Sequence, residues 1–241
     1  MYLSNISVTV IVLFLSSLAL PLIIFSTAIK SAGIRANMYS KKIRNIQIIV
    51  IGFLITWWLF ASFLSLNGAL YGNTLPPRPI LFLILPLILF LFLVVRKTNT
   101  FKILFEAVRI ETLIKIHIFR LIGGWFIFMG YHNLLPFGFA LRAGVGDILT
   151  GILALLISFA VYKKKILHTK WVYAWNIFGL VDILAVIISA AVITSNVNTN
   201  PATTMDVLEL TTFPFALIPA FAPAIIIFLH IITFQKLSIV K

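Results

Sequence analysis

Seven stretches of almost uninterrupted apolar residues, most of them long enough to cross a bilayer, constrain this chain more than any other feature. A helix rising 1.5 Å per residue crosses a hydrocarbon core of roughly 30 Å in about 20 residues. Stretches of that order lie at about 6–29, 46–67, 80–95, 117–135, 144–162, 171–194 and 212–234. Hydrocarbon offers no water to satisfy backbone amides, so such stretches must be helices. The reading is therefore an all-α, polytopic integral membrane protein with seven transmembrane helices, forming a single domain over 1–241. Only 10% of the residues are charged and 61% are hydrophobic, whereas a soluble chain carries about a quarter charged residues.

A formal charge of +13 would suit a nucleic-acid binder, because lysine and arginine release counterions from phosphates. Here the basic residues instead crowd the short gaps between apolar spans, as in Lys30, Arg35, Lys41, Lys42 and Arg44, or Lys163, Lys164 and Lys165. That is where inside-facing loops of membrane proteins keep them. Nucleic acid is thus not an expected partner, and anionic lipid headgroups are. With the N-terminus outside and the C-terminus cytoplasmic, Arg78 and Arg142 are the only loop cations on the wrong side. The chain starts without a basic signal-peptide n-region, so its first apolar run reads as a retained helix.

Cysteine is absent, which removes disulfides, thiolate catalysis and cysteine-ligated metals. No nucleotide-binding loop or hydrolase motif occurs, and no cofactor is expected. Two histidines, His117 and His230, fall near the inner ends of spans four and seven and are the sole candidates for a haem or a metal; His132 and His168 read as loop or helix-end residues. Span seven lacks a mid-membrane lysine, since Lys236 falls at its end, which argues against a retinal Schiff base.

Prolines set further expectations. Pro21 should kink span one, Pro86 lies inside span three, and Pro214, Pro219 and Pro223 should break the ladder of span seven. Span three reads as lipid-facing scaffold. Trp57 and Trp58 should face packed neighbours, and Trp171 and Trp175 an interfacial belt. Residues 96–116 interleave charges with Phe101, Leu104, Phe105 and Val108 at helical spacing, with Lys102/Glu106 and Glu111/Lys115 as i,i+4 pairs. They read as an amphipathic helix on the membrane surface, a face on which a protein partner can dock.

The polar residues that the sequence places in hydrocarbon are Arg120, Asp147, Asn176 and Asp182. An aspartate at the bilayer centre costs about 2.5–3.5 kcal/mol on insertion scales, so it pairs, keeps a proton or lines a wet cavity. Counting rise from the inner helix ends brings the two aspartates within about 6 Å in depth. Stripes of small and polar residues run along span four (His117, Arg120, Gly124, Tyr131), span five (Asp147, Gly151, Ala154, Ser158) and span six (Asn176, Gly179, Asp182, Ser189). Such stripes draw helices together. Arg120 is placed to reach Asp182, and Arg142 is an alternative partner for Asp147. The motif Gly-x-x-Asp-Ile-Leu occurs at Gly144–Leu149 and again at Gly179–Leu184, as an inverted repeat or by chance.

Leu135-Pro136, Phe139-Ala140, Ala143-Gly144-Val145-Gly146-Asp147, Gly151 and Trp175-Asn176-Ile177-Phe178-Gly179-Leu180-Val181-Asp182 resemble a pattern found in uncharacterised bacterial multipass membrane proteins. The resemblance covers roughly spans four to six. It implies a bacterial inner-membrane setting and no activity.

Three functions fit these residues. One is binding or transport of a small molecule or lipid, with Asp147 and Asp182 as polar anchors or proton carriers beside Arg120 and Asn176. Another is an intramembrane enzyme acting on a lipid or isoprenoid, with one aspartate as general acid. The third is a non-catalytic scaffold or subunit that uses 96–116. The first is the preferred expectation, with a small lipophilic or polar molecule as ligand.

Overall fold

The computed structural model describes residues 6–164, 169–200 and 205–239, so His168 lies outside the described residues. Helices and turns make up this part of the chain, with no strand among the described residues, and seven helices are long and apolar enough to cross a membrane.

The first span, α1, comprises Val8–Ser17 and Ala19–Arg35, with a break at Leu18. Pro21 has no N–H to offer the Ser17 carbonyl, and beside it Leu18 N–H donates to Leu15, three residues back. The second, α2, covers Ser40–Leu66 and begins six residues before the apolar run, so Lys41, Lys42 and Arg44 sit on its first turns rather than in a loop. In α3, Ile80–Lys97, the turn ahead of Pro86 is widened, with Leu85 N–H reaching Ile80. The fifth helix, α5, runs from Ile110 to Tyr131; α6 covers Phe137–Lys164, α7 Thr169–Thr199 and α8 Leu217–Ile239.

Three helix ends share one stop signal. Asn37, Gly68 and Asn133 take left-handed φ values of 51°, 70° and 53°. Met38, Ala69 and Leu134 then donate back to Gly33, Leu64 and Met129. This double turn satisfies carbonyls that a helix end would leave bare, and it uses glycine or asparagine because they tolerate that φ.

The bundle is built around α8. In its most apolar window 72% of residues are buried, against 56% in α5 and 33% or less in every other span. It touches α2, α3, α5 and α7. Trp57 donates to the Ala220 carbonyl at 2.7 Å, in the turn loosened by Pro223, and Trp58 meets Phe221 edge to face. Both tryptophans therefore face packed neighbours. Span three is not simply lipid-facing: Leu83, Leu87 and Leu91 are buried on its α8 side while Leu81, Phe82, Leu85, Leu89 and Leu93 stay exposed. A purely apolar helix carries no pattern to tell these two faces apart. The irregular stretch of span seven precedes the helix, which is regular from Leu217 even though Pro223 lies inside it.

The amphipathic segment is shorter than its sequence pattern. Only Asn99–Ala107 forms the separate helix α4, and Ile110–Ile116 belongs to the membrane span. Thr98 caps the start of α4 by accepting from Phe101 N–H. Its last carbonyls are capped by two cations from other helices: Arg35 donates to Ala107 at 3.0 Å, and Lys236 to Phe105 and Glu106 at 2.9 and 2.8 Å. Phe101 stacks on Phe105 and packs on Phe228 of α8, so part of the apolar face lies against the bundle. Neither i,i+4 pair forms; Arg109 pairs with Glu111 instead. Charge-assisted hydrogen bonds of this kind contribute about 1.5–3 kcal/mol each. Lys236→Met should therefore raise amide exchange across Asn99–Ala107 on the order of tenfold without altering exchange in α6, as read by hydrogen–deuterium exchange mass spectrometry.

Candidate functional site

Arg120 occupies the centre of the polar cluster, with its side chain fully buried. It stands on a 3₁₀ segment, His117–Gly123, set inside α5 between two α-helical halves. A 3₁₀ helix has three residues per turn, so residues three apart eclipse. His117, Arg120 and Gly123 consequently share one face, and all three are buried. The expected stripe continued to Gly124 and Tyr131 at α-helical spacing, but Gly124 is half-buried and Tyr131 is exposed. The tighter turn changed the phase, and Gly123 takes the place expected of Gly124.

The guanidinium joins four helices. Its Nε donates to Asp147 Oδ1 on α6 at 2.7 Å and Nη2 to Asp182 Oδ2 on α7 at 2.5 Å. Nη1 donates to the Gly179 carbonyl at 3.0 Å and faces His230 Nε2 of α8 at 3.3 Å. Four of the five N–H groups of arginine thus have acceptors. Asn176 fixes the tautomer of His230. Its amide nitrogen donates to the His230 carbonyl at 3.0 Å, which leaves Oδ1 facing His230 Nδ1 at 2.8 Å as an acceptor. Nδ1 then carries the proton and the Nε2 lone pair receives Arg120.

Three glycines let these groups meet. A methyl at Gly123 would collide with Asp147, one at Gly146 with Asp182, and one at Gly179 with the His230 ring. The two Gly-x-x-Asp motifs do not play equivalent parts. Gly144 packs against the backbone of α5, whereas Gly179 faces His230 and Thr150 and lends its carbonyl to Arg120.

His117 is fully buried, and neither ring nitrogen has a hydrogen-bond partner. Its ring lies 4.2 Å from that of His230 and edge-on to Trp175 at 5.0 Å. Leaving a buried polar group unpaired costs about 1–3 kcal/mol. The two imidazoles contact one another too closely for a porphyrin to lie between them. Among the described residues no three histidine, aspartate or glutamate side chains converge as metal ligands.

The structure brings together all of the candidates Arg120, Asp147, Asn176 and Asp182, and it adds His230. Arg142 does not pair with Asp147. Residues 137–144, expected as a connection, are the first two turns of α6, and Arg142 is exposed there. Trp171 is exposed as expected of a belt residue, but Trp175 is buried and donates to the Thr150 carbonyl at 3.1 Å.

Two cavities adjoin the cluster. One of about 80 Å³ lies between α3, α7 and α8 and reaches from Gly72 and Asn73 down to Asp147, the sole ionisable group in its lining. Its walls include Ile183, Ile187, Ala190 and Pro219. Another of about 30 Å³ touches Arg120 and Asp147 from the α1 side, past Leu18 and Phe119.

A family profile described as a domain of unknown function, DUF8737, matches residues 77–238. The chain belongs to this family. The DUF8737 region takes in α3 to α8 and with them every member of the cluster, while α1 and α2 lie outside it. No curated protein and no solved structure matches the chain.

Removing one partner of a buried ion pair costs about 3–5 kcal/mol, because the remaining charge is left unpaired. Arg120→Leu should lose stability of that order in detergent-unfolding titrations. Overpacking costs about 1–3 kcal/mol. Gly146→Ala should fall in that range by pushing Asp182 aside, whereas Gly52→Ala, which lies inside α2 and meets nothing within 4 Å, should not lower the unfolding midpoint.

Proposed function

We propose that this chain binds or carries a small lipophilic molecule across the bacterial cytoplasmic membrane, with its N-terminus outside and its C-terminus inside. The observation that carries this reading is the cavity of about 80 Å³ with Asp147 in its wall. Its lining is apolar apart from Asn73, Thr194, Thr211 and that one carboxylate. An occupant therefore presents an apolar body and a hydrogen-bond-donating end. Sites of this composition, mostly apolar with a few placed polar groups, are typical of small-molecule pockets. A void of roughly 150 Å³ accepts a benzene ring. This smaller one suits the end of a chain better than a ring system, with the remainder of the molecule extending toward Gly72 and Asn73.

The distribution of charge supports the orientation. Arg35, Lys41, Lys42, Arg44, Lys102, Lys115 and Lys236 gather at the end of the bundle where α4 is docked, and inside-facing ends hold such residues. The cavity then lies toward the outer leaflet, on the side of the 67–79 connection.

Native mass spectrometry of the protein released from lipid nanodiscs tests the reading. The wild type should carry a defined additional mass, and Ala190→Phe, which fills the cavity from α7, should lower its occupancy by about tenfold or more while keeping the monodisperse elution of the wild type. A bare wild-type chain, or a bound mass indifferent to Ala190→Phe, overturns the cavity as the binding site.

A further inference from the structure

The cluster does not balance its charge. One guanidinium faces two carboxylates, Asp147 at 2.7 Å and Asp182 at 2.5 Å, so full ionisation leaves one negative charge over. The titratable and charged groups around the pair are few. Arg120 and His117 come from α5, His230 from α8, and each carboxylate meets the other's ion-pair partner from α6 and α7. On the α1 and α3 sides the cavities present Leu18 and Ile84, which carry no charge. His230 does not supply the missing cation: one ring nitrogen faces Asn176 Oδ1 and the other offers its lone pair to Arg120.

A metal ion fits poorly, because it would sit beside a guanidinium that already occupies the space between the carboxylates. A proton forms an O–H bond, needs no cavity and cancels the surplus charge. Beside the cluster lies His117, fully buried with both nitrogens unpartnered, a second group whose chemistry the packing of the bundle does not use.

We propose that Asp147 and Asp182 together hold one exchangeable proton and that this proton is the coupling ion of the site. The coupling role rests on the binding and transport reading; the proton rests on the charge count and geometry alone. The proton belongs to the pair, as in other strongly interacting carboxylates. Its arrival weakens the hold of Arg120 on one carboxylate, and so the tie between α5 and either α6 or α7.

Infrared difference spectroscopy on the full chain in lipid vesicles, titrated from neutral toward acid, tests this through the carboxylic C=O stretch, with thermal unfolding measured in parallel. One carboxyl side chain per chain should titrate apart from Glu106, Glu111, Asp206 and Glu209, the four acidic side chains outside the cluster. The signal should vanish in Asp147→Asn and in Asp182→Asn alike, since either leaves one carboxylate against one guanidinium. Both single variants should fold and melt at or above the wild-type temperature, whereas the double variant, which strands the guanidinium, should melt below it. The proposal is overturned if no fifth carboxyl side chain titrates in the wild type, if the signal survives in both single variants, if the single variants fail to fold, or if sodium stabilises the wild type and not the variants. Ligand mass plays no part in this measurement, so its outcome is separate from that of the cavity reading.

Discussion

A guanidinium in hydrocarbon is tolerable only when its donors are all but fully engaged, and this requirement organises the bundle around Arg120. Two carboxylates, a carbonyl and an imidazole from three other helices converge on it. Membrane helices gain little from burying apolar surface against one another, since lipid is equally apolar. A polar knot therefore decides which helices become neighbours and in what rotation. The apolar packing around α8, from Leu83 and Leu87 to Phe221 and Phe228, then fills the space that the knot defines.

Close approach is the second condition. Gly123, Gly146 and Gly179 each stand where a side chain would strike a member of the cluster, so the missing methyl groups are as necessary to it as the charges. Asn176 adds orientation. By holding both the backbone and the ring of His230, it presents a lone pair to Arg120 rather than a competing proton.

Much of this was legible in the sequence. Seven apolar runs specified the helices, and the rarity of ionisable residues within them singled out Arg120, Asp147 and Asp182, because charge in hydrocarbon is too costly to be incidental. The rest was hidden for definite reasons. Helix ends moved outward where the chain could continue a helix beyond the apolar run, through polar residues at Ser40 and through a Gly-containing segment at Phe137. The centrality of α8 left no trace, because in a membrane an apolar helix reads the same whether it faces lipid or protein. His230 was visible only as a candidate haem or metal ligand near a helix end, since the arginine that engages it is 110 residues away. The phase of α5 was misjudged because nothing in His117–Gly123 announces a 3₁₀ turn; the two glycines at its end, Gly123 and Gly124, were the available hint.

That 3₁₀ segment makes α5 a mechanical element as well as a scaffold. Seven residues at a rise of about 2.0 Å occupy roughly 14 Å, and the same residues at 1.5 Å occupy about 10.5 Å. Relaxation to α geometry therefore shortens the helix by about 3.5 Å and turns one end against the other by about 140°. Arg120 sits in the middle of this screw, so the bonds that hold the guanidinium also fix the length of the segment and the angle between the two α-helical halves of α5.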